Sequence, residues 1–283
     1  MNRILALQAL LILMFTLPSS YADEIEELLP NGLLAEAKYI QGDADKPVIL
    51  LMHGFLTVHN FNLIQNIATE IADNHFTVLT PTLTLGISKR RTTLDCDALH
   101  LHSMEDDLKE IEWWVNWLIG KGHKKIILMG HSSGAVQIIN YANTYKHKEL
   151  IKVIALSLVP LSTPINNQTA LSNQNVLKLI ENNNTDIHHF TLAYCIENYS
   201  APAKQYLSYA KWDPPHILKS LNAISLDKKV IIGSLDISRF NKWISDIKNT
   251  NSRVDVIEGA DHFFGSGTEF ELYDSIMQGI TSN

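Results

Sequence analysis

The chain has 283 residues, of which 46% are apolar and 19% are charged; this composition allows a substantial core and excludes an intrinsically disordered protein. The formal net charge is −7, and the longest basic run, Lys89-Arg90-Arg91, is predicted to be a solvated loop. Because nucleic-acid binders usually carry a clustered basic face, we expect no nucleic-acid partner.

The N-terminus has the layout of a secretory signal peptide. Arg3 precedes an apolar stretch, and the small residues Ser20 and Ala22 follow it. That stretch is shorter than the roughly 20 residues that a membrane span needs, although an uncleaved N-terminal anchor is the alternative. The sequence therefore predicts a signal peptide over residues 1–22, cleaved after Ala22, and a secreted or periplasmic domain over 23–283. No other segment is apolar enough to cross a membrane.

Apolar stretches and helical patterns alternate along the rest of the chain. Short apolar stretches predict six buried strands, over 47–52, 76–79, 125–129, 153–158, 230–232 and 254–257, preceded by an antiparallel strand over 35–40. Apolar residues at helical spacing predict helices over 61–74, 103–119 and 135–142. Strands that are apolar throughout and alternate with helices predict an α/β protein, with a mostly parallel central sheet covered by helices on both faces.

Residues 160–221 interrupt this alternation. The segment is rich in Asn and Ser, contains five prolines and shows no clear buried strand. We predict a small helical lid inserted over the carboxyl edge of the sheet. The alternative is a long surface loop, but unstructured loops of that length are uncommon.

The segment Gly130-His131-Ser132-Ser133-Gly134 directly follows the third predicted strand and precedes a helix. This is a G-x-S-x-G nucleophile elbow in the strand–turn–helix context that such a turn requires. Small residues on either side let the sharp turn form, and the turn raises the serine hydroxyl above the sheet. We therefore predict that Ser132 is a nucleophile.

A serine nucleophile needs a base, and the chain offers twelve histidines. His262 lies just after the last predicted strand, at the sheet edge where parallel sheets bind ligands. Its position after the serine also fits the order serine, acid, histidine of this architecture. The sequence therefore predicts that His262 is the general base.

The acid of the triad is predicted to follow the preceding strand. Asp236 lies four residues beyond the strand over 230–232, at the same edge of the sheet. Asp213, Asp227 and Asp261 are weaker candidates, because they lie in the lid, before the strand and beside the base, respectively. Asp236 is expected to orient the imidazole and to stabilise the imidazolium.

An acyl-transfer site also needs two N–H donors for the oxyanion. We expect the backbone N–H of Ser133, after the nucleophile, and that of Phe55, in the loop after the first parallel strand. Gly54 is expected to permit an unusual backbone angle that turns the Phe55 N–H inward. His53 is predicted to brace this loop rather than to act as a base.

Together, these residues resemble the α/β-hydrolase superfamily from about Pro47 to the C-terminus. The resemblance rests on His53-Gly54-Phe55, the elbow around Ser132, Asp236 and the segment Asp261-His262-Phe263-Phe264. It implies the fold and the site roles described above, without a cofactor. The segment after the first strand lacks the HGGG motif of many lipases and esterases.

The chain has two cysteines, Cys96 and Cys195, which allow one disulfide in an oxidising compartment or two separate thiols. A group of possible metal ligands surrounds Cys96, comprising Asp95, Asp97, His100, His102 and Glu105. Their spacing matches no established metal motif, so no metal site is expected.

These observations predict a serine hydrolase that cleaves an ester, thioester or amide through an acyl-enzyme. A carboxylesterase or lipase-like activity on a small-molecule or lipid-like ester is favoured, and a peptidase or thioesterase is also consistent with the motifs. A non-catalytic binding protein of the same fold and an acyltransferase with the same triad are the alternatives.

Overall fold

A computed structural model describes residues 22–162, 173–236, 242–265 and 267–282. The predicted signal peptide, apart from Ala22, lies outside these residues, as does part of the predicted lid. Among the described residues, no helix combines the length and the apolar character that crossing a membrane requires.

Ten strands are present in the described part of the chain. They are β1 (Ala22–Leu28), β2 (Leu34–Ile40), β3 (Val48–Met52), β4 (Thr77–Thr82), β5 (Ile126–His131), β6 (Leu150–Leu156), β7 (His188–Leu192), β8 (Cys195–Ala201), β9 (Asp227–Gly233) and β10 (Arg253–Ile257). Eight form the central sheet, in the order β1-β2-β4-β3-β5-β6-β9-β10. Strands β1 and β2 are antiparallel to their neighbours, and the remaining neighbours pair in parallel.

Eight helices lie in the same residues. They are α1 (Asn62–Asp73), α2 (Met104–Gly120), α3 (Ser133–Thr144), α4 (Gln174–Glu181), α5 (Ala203–Ala210), α6 (Pro214–Ala223), α7 (Trp243–Lys248) and α8 (Glu269–Thr281). Helix α2 starts at a capping box, in which Ser103 and Asp106 exchange hydrogen bonds.

The central strand β3 is apolar and buried at all five positions, because helices cover both faces of the sheet. Along β3, Val48 and Leu50 belong to one hydrophobic cluster and Ile49 and Leu51 to another. Helices α2, α3 and α6 contribute to the first cluster, and α1 and α8 to the second. The predicted α/β architecture is therefore confirmed.

The predicted absence of strands from residues 160–221 is wrong. Besides α4, α5 and α6, the described part of this segment contains a hairpin formed by β7 and β8, which pair antiparallel. Its residues are only partly buried on β7, with the pattern His188-His189-Phe190-Thr191-Leu192 lacking a long apolar run. Such a short strand leaves little signal in the hydropathy of the sequence.

Candidate active site

The candidate nucleophile Ser132 lies between the end of β5 and the first residue of α3. Its backbone has φ 57° and ψ −119°, a conformation that L-residues rarely adopt. The Ser132 N–H donates to the carbonyl of Leu156 on the neighbouring strand (2.9 Å). The strained turn that the motif predicts is therefore present, and it holds the serine at the carboxyl edge of the sheet.

Both glycines of the elbow are required by close packing. A Cβ on Gly134 would lie 2.5 Å from the His53 carbonyl oxygen, and one on Gly130 would lie 2.5 Å from the Gly134 carbonyl. Neither neighbour is a flexible side chain, so these contacts cannot be relieved by a rotamer change.

Gly134→Ala is expected to lower the free energy of unfolding by about 1–3 kcal/mol, because a methyl group would push α3 away from β3. Chemical denaturation measures this change. Gly120→Ala is a matched control, since a Cβ there meets no atom within 4 Å. Equal stability of the two variants would contradict the packing explanation.

His262 follows β10 and reaches the serine directly. Its Nε2 lies 3.0 Å from Ser132 Oγ, and its Nδ1 lies 2.6 Å from Asp236 Oδ1. With the proton on Nδ1, the imidazole donates to the carboxylate and accepts from the serine hydroxyl. The three predicted triad residues are therefore connected by hydrogen bonds in the order serine, histidine, aspartate.

Asp236 is brought to His262 by the close approach of two loops. A Cβ on Gly233, the last residue of β9, would lie 2.3 Å from the carbonyl oxygen of Ala260. The N–H of Leu235 donates to the same carbonyl (2.9 Å). The Asp236 side chain is almost fully buried, with 1% exposed. Its Oδ1 contacts the imidazole of His262.

The other candidate acids have different contacts. Asp213 accepts from the His216 N–H and caps α6, and Asp227 pairs with Arg253 (2.6 Å). Asp261 accepts from the N–H groups of Phe263 and Gly265 and stabilises the turn around His262. The geometry therefore favours Asp236 among the candidates.

His131, within the elbow, has a positioning contact that sequence reasoning missed. Its Nε2–H donates to the carbonyl oxygen of His262 (2.9 Å), and the Ser157 hydroxyl donates to the same oxygen (2.9 Å). Burial lowers the pKa of His131 to about 4, so its imidazole is neutral at neutral pH. His131 is the first variable position of the G-x-S-x-G motif, so the motif itself does not predict that its side chain holds the loop of His262.

The two predicted oxyanion donors lie at the start of α3 and in the loop after β3. The Ser133 N–H is the first of α3, where a helix supplies no acceptor of its own. The Phe55 N–H lies in the loop after β3, and neither group has a backbone or side-chain acceptor within the described residues.

The expected role of Gly54 needs correction. Gly54 does not have a left-handed φ; Leu56, two residues on, has φ 58°. A Cβ on Gly54 would approach His131 Nδ1 at 3.2 Å and Ser132 Cβ at 3.5 Å. Glycine is therefore favoured here because the loop packs tightly against the elbow, and not because of its backbone angle.

The family model of the alpha/beta hydrolase fold matches residues 47–179, from the start of the first parallel strand into α4. The chain therefore has the α/β-hydrolase fold. No curated protein matches its sequence.

Solved structures of α/β-hydrolases share the fold over almost the whole chain. The alpha/beta hydrolase GrgF from Penicillium sp. sh18 is 16% identical, with a TM-score of 0.67, over 92% of this chain and 99% of that one. Est1E from Butyrivibrio proteoclasticus is 13% identical, with a TM-score of 0.63, over 94% and 100%. The thioesterase domain from the curacin biosynthetic pathway is 17% identical, with a TM-score of 0.60, over 91% and 99%. At these identities the likeness is one of fold.

A cleft of about 380 Å³ opens onto Ser132, Asp236 and His262. Its remaining described lining is apolar or uncharged and comprises Phe55, Val159, Pro160, Leu161, Ala193, Tyr194 and Phe263. The turn of the β7–β8 hairpin supplies Ala193 and Tyr194. The Tyr194 hydroxyl donates to the Phe55 carbonyl (3.3 Å), and the edge of its ring meets Phe55.

A disulfide fastens this hairpin beside the cleft. Cys195, the first residue of β8, is bonded to Cys96 in the loop after β4, with a Cα–Cα distance of 5.5 Å. The Ala193 N–H also donates to the Leu161 carbonyl (2.8 Å), which joins two parts of the cleft wall. Of the two states that the sequence allows for these cysteines, the structure shows the bridge.

The polar residues around Cys96 are engaged with the protein itself. The His100 ring stacks on Tyr199 (4.3 Å between centroids), and His102 Nδ1 lies 2.6 Å from the Tyr209 hydroxyl. Among the described residues, no three His, Cys, Asp or Glu side chains are grouped as metal ligands would be.

Proposed function

We propose that this α/β-hydrolase is a serine hydrolase that cleaves an uncharged ester or thioester through an acyl-enzyme. The single observation that carries the proposal is the hydrogen-bonded series from Ser132 Oγ through His262 to the buried Asp236 carboxylate. A binding protein of the same fold would have no need of this series, whereas nucleophilic catalysis requires it.

Each group has a defined step in this mechanism. Ser132 Oγ attacks the substrate carbonyl carbon while His262 Nε2 takes the hydroxyl proton. The N–H groups of Phe55 and Ser133 stabilise the negative charge on the carbonyl oxygen. His262 then donates the proton to the leaving group, and water, deprotonated by the same imidazole, releases the acyl group. Asp236 stabilises the imidazolium throughout.

The lining of the cleft supports an apolar, uncharged substrate group. None of the described lining side chains is a Lys or Arg that could pair with a charged substrate. The cleft volume is at the lower end of the range of roughly 300–1,000 Å³ for small-molecule sites. The similarity to a thioesterase domain is consistent with a thioester as well as an ester.

The proposed location is the periplasm or the extracellular space. The layout of residues 1–22 supports it, as does a disulfide, since disulfides persist in oxidising compartments. Comparing the mass of the exported protein with that of the full chain tests cleavage after Ala22. An unprocessed chain retained in the cytoplasm would contradict the proposed location.

The reaction class is tested by steady-state hydrolysis of three matched substrate series. These are p-nitrophenyl esters of increasing acyl length, acyl thioesters of the same lengths and aminoacyl p-nitroanilides. We expect turnover of the first or second series, with a burst of leaving group where deacylation is slower than acylation. Turnover of anilides alone would establish a peptidase instead, and product formed only with an added alcohol would establish an acyltransferase.

The disulfide is expected to support both stability and the cleft wall. Because it closes a loop of about 100 residues, the Cys96→Ser/Cys195→Ser variant is expected to lose about 3–5 kcal/mol of unfolding free energy. The hairpin turn that it fastens is expected to loosen, so KM should rise more than kcat falls. Denaturation and ester kinetics measure the two effects. Wild-type stability in the variant would contradict this account of the bridge.

A further inference from the structure

Arg90 is buried, although its position in a basic run predicts a solvated side chain. It is 3% exposed, whereas the side chain of its neighbour Arg91 is 65% exposed and pairs with the buried carboxylate of Glu36. The expectation of a wholly solvated loop is therefore wrong at this residue. A buried guanidinium requires several acceptors, because an unpaired buried charge is costly.

The structure provides those acceptors from the backbone. Arg90 donates to four carbonyl oxygens: those of Leu83 (from Nε, 2.8 Å), Leu56 (Nη1, 3.1 Å), Thr92 (Nη1, 3.0 Å) and Thr57 (Nη2, 2.7 Å). Its Nη2 also lies 3.4 Å from His53 Nε2. Three of these five contacts fall within residues 53–57, the loop that carries Phe55.

Within that loop, the peptide between Gly54 and Phe55 is held by its carbonyl end. The Gly54 oxygen accepts from His53 Nδ1 (2.9 Å), from the Thr57 N–H (3.2 Å) and from the Thr57 hydroxyl (3.0 Å). A trans peptide is planar, and its C=O and N–H point in opposite directions. Fixing the Gly54 carbonyl therefore fixes the direction of the Phe55 N–H.

Arg90 contacts both residues that hold this carbonyl. It binds the Thr57 carbonyl and approaches His53 Nε2, which also accepts from the Leu83 N–H (3.1 Å). Burial lowers the pKa of His53 to about 3, so the imidazole is neutral. It therefore donates from Nδ1 and accepts at Nε2, as both contacts require.

The guanidinium keeps its charge in this environment. Burial lowers the pKa of Arg90 to about 10, while the carboxyl groups of Glu110 and Asp107 act in the opposite direction. Glu110 is itself held by the Thr84 N–H (2.8 Å), one residue beyond Leu83. Arg90 is thus a cation at neutral pH that links the loops after β3 and β4.

We propose that Arg90 is a positioning residue of the oxyanion hole, which acts through His53 and Thr57 to hold the Phe55 N–H in its stabilising orientation. The inference rests on the proposed serine hydrolase mechanism. An oxyanion donor stabilises the transition state more than the bound substrate. Loss of Arg90 is therefore expected to lower kcat and to change KM little.

The test is the kinetics of Arg90→Lys and Arg90→Met, normalised to the number of intact sites. Complete labelling by a fluorophosphonate counts the folded sites, so loss of folded protein lowers the count and not kcat per site. We expect kcat per site to fall about 10–100-fold in both variants, with KM changed less than about threefold. Lysine at position 90 is not expected to restore kcat, since one ammonium group cannot reach carbonyl oxygens on several sides.

Thr57→Val keeps the test informative if the Arg90 variants do not fold. It removes the hydroxyl bond to the Gly54 carbonyl while keeping a β-branched side chain of similar size. We expect a smaller loss of kcat per site, about 3–10-fold. Arg91→Met is the matched control, because Arg91 pairs with Glu36 and Glu26. This variant is expected to leave kcat unchanged.

The outcomes separate this inference from the function on which it rests. Wild-type kcat per site in Arg90→Lys, Arg90→Met and Thr57→Val, or a rise in KM without loss of kcat, overturns the positioning role. A wild-type protein that fluorophosphonate does not label overturns the serine hydrolase mechanism itself.

Discussion

Replacing Ser132 by alanine is expected to lower kcat/KM by about 10⁴–10⁶-fold on any ester that the protein hydrolyses, because the covalent route is then removed. KM should change little, since the cleft walls and the oxyanion donors remain. Steady-state hydrolysis of the best p-nitrophenyl ester measures the loss.

The control for this variant is Ser245→Ala, on α7, which does not line the cleft. It is expected to retain wild-type activity. If Ser132→Ala keeps more than about a tenth of the wild-type rate while folded, the nucleophile has been assigned wrongly.

Replacing Asp236 by asparagine is expected to lower kcat by about 10³–10⁴-fold without unfolding the protein. The asparagine amide can donate to His262 Nδ1, which favours the tautomer with its proton on Nε2. That tautomer cannot accept the proton of Ser132. The loss should appear in kcat rather than in KM, because Asp236 acts through the imidazole.

Two matched variants distinguish Asp236 from its competitors. Asp213→Asn changes the N-cap of α6 and Asp261→Asn changes a turn, so each is expected to cost less than about 1 kcal/mol of stability and less than tenfold in activity. Wild-type activity in Asp236→Asn combined with a large loss in Asp213→Asn would reverse the assignment.

Local sequence patterns predict the parallel part of the fold and the chemistry at its edge. The apolar runs of β3, β5, β6, β9 and β10 lie within a few residues of their predicted positions. The elbow around Ser132 needs only its own strand, turn and helix. Asp236 and His262 follow from the rule that the carboxyl ends of neighbouring parallel strands meet at one edge.

The edge strand β1 and the β7–β8 hairpin were missed because they carry weaker signals. β1 contains four acidic residues and only three apolar ones, at Ala22, Ile25 and Leu28, and it lies beside the predicted cleavage site. β4 continues through Pro81 to Thr82, beyond the strand predicted over 76–79. β7 and β8 form a separate two-stranded sheet, so only part of their surface is buried.

Long-range contacts are the hardest features to predict from the sequence. Cys96 and Cys195 are 99 residues apart, so only the fold could show that their backbones are neighbours. Arg90 lies between two other basic residues, and its acceptors are backbone carbonyls that carry no side-chain signature. The contact of His131 with the His262 carbonyl is hidden for the same reason.

Covalent labelling with a fluorophosphonate, followed by peptide mapping, tests the central claim most directly. The probe forms a stable phosphonyl ester with an activated serine and should not react with an ordinary hydroxyl group. We predict one label per folded chain, on the peptide that contains Ser132, and no label on Ser132→Ala. A folded wild-type protein without label, or a label that persists in Ser132→Ala, would contradict the proposal that Ser132, His262 and Asp236 form a catalytic triad.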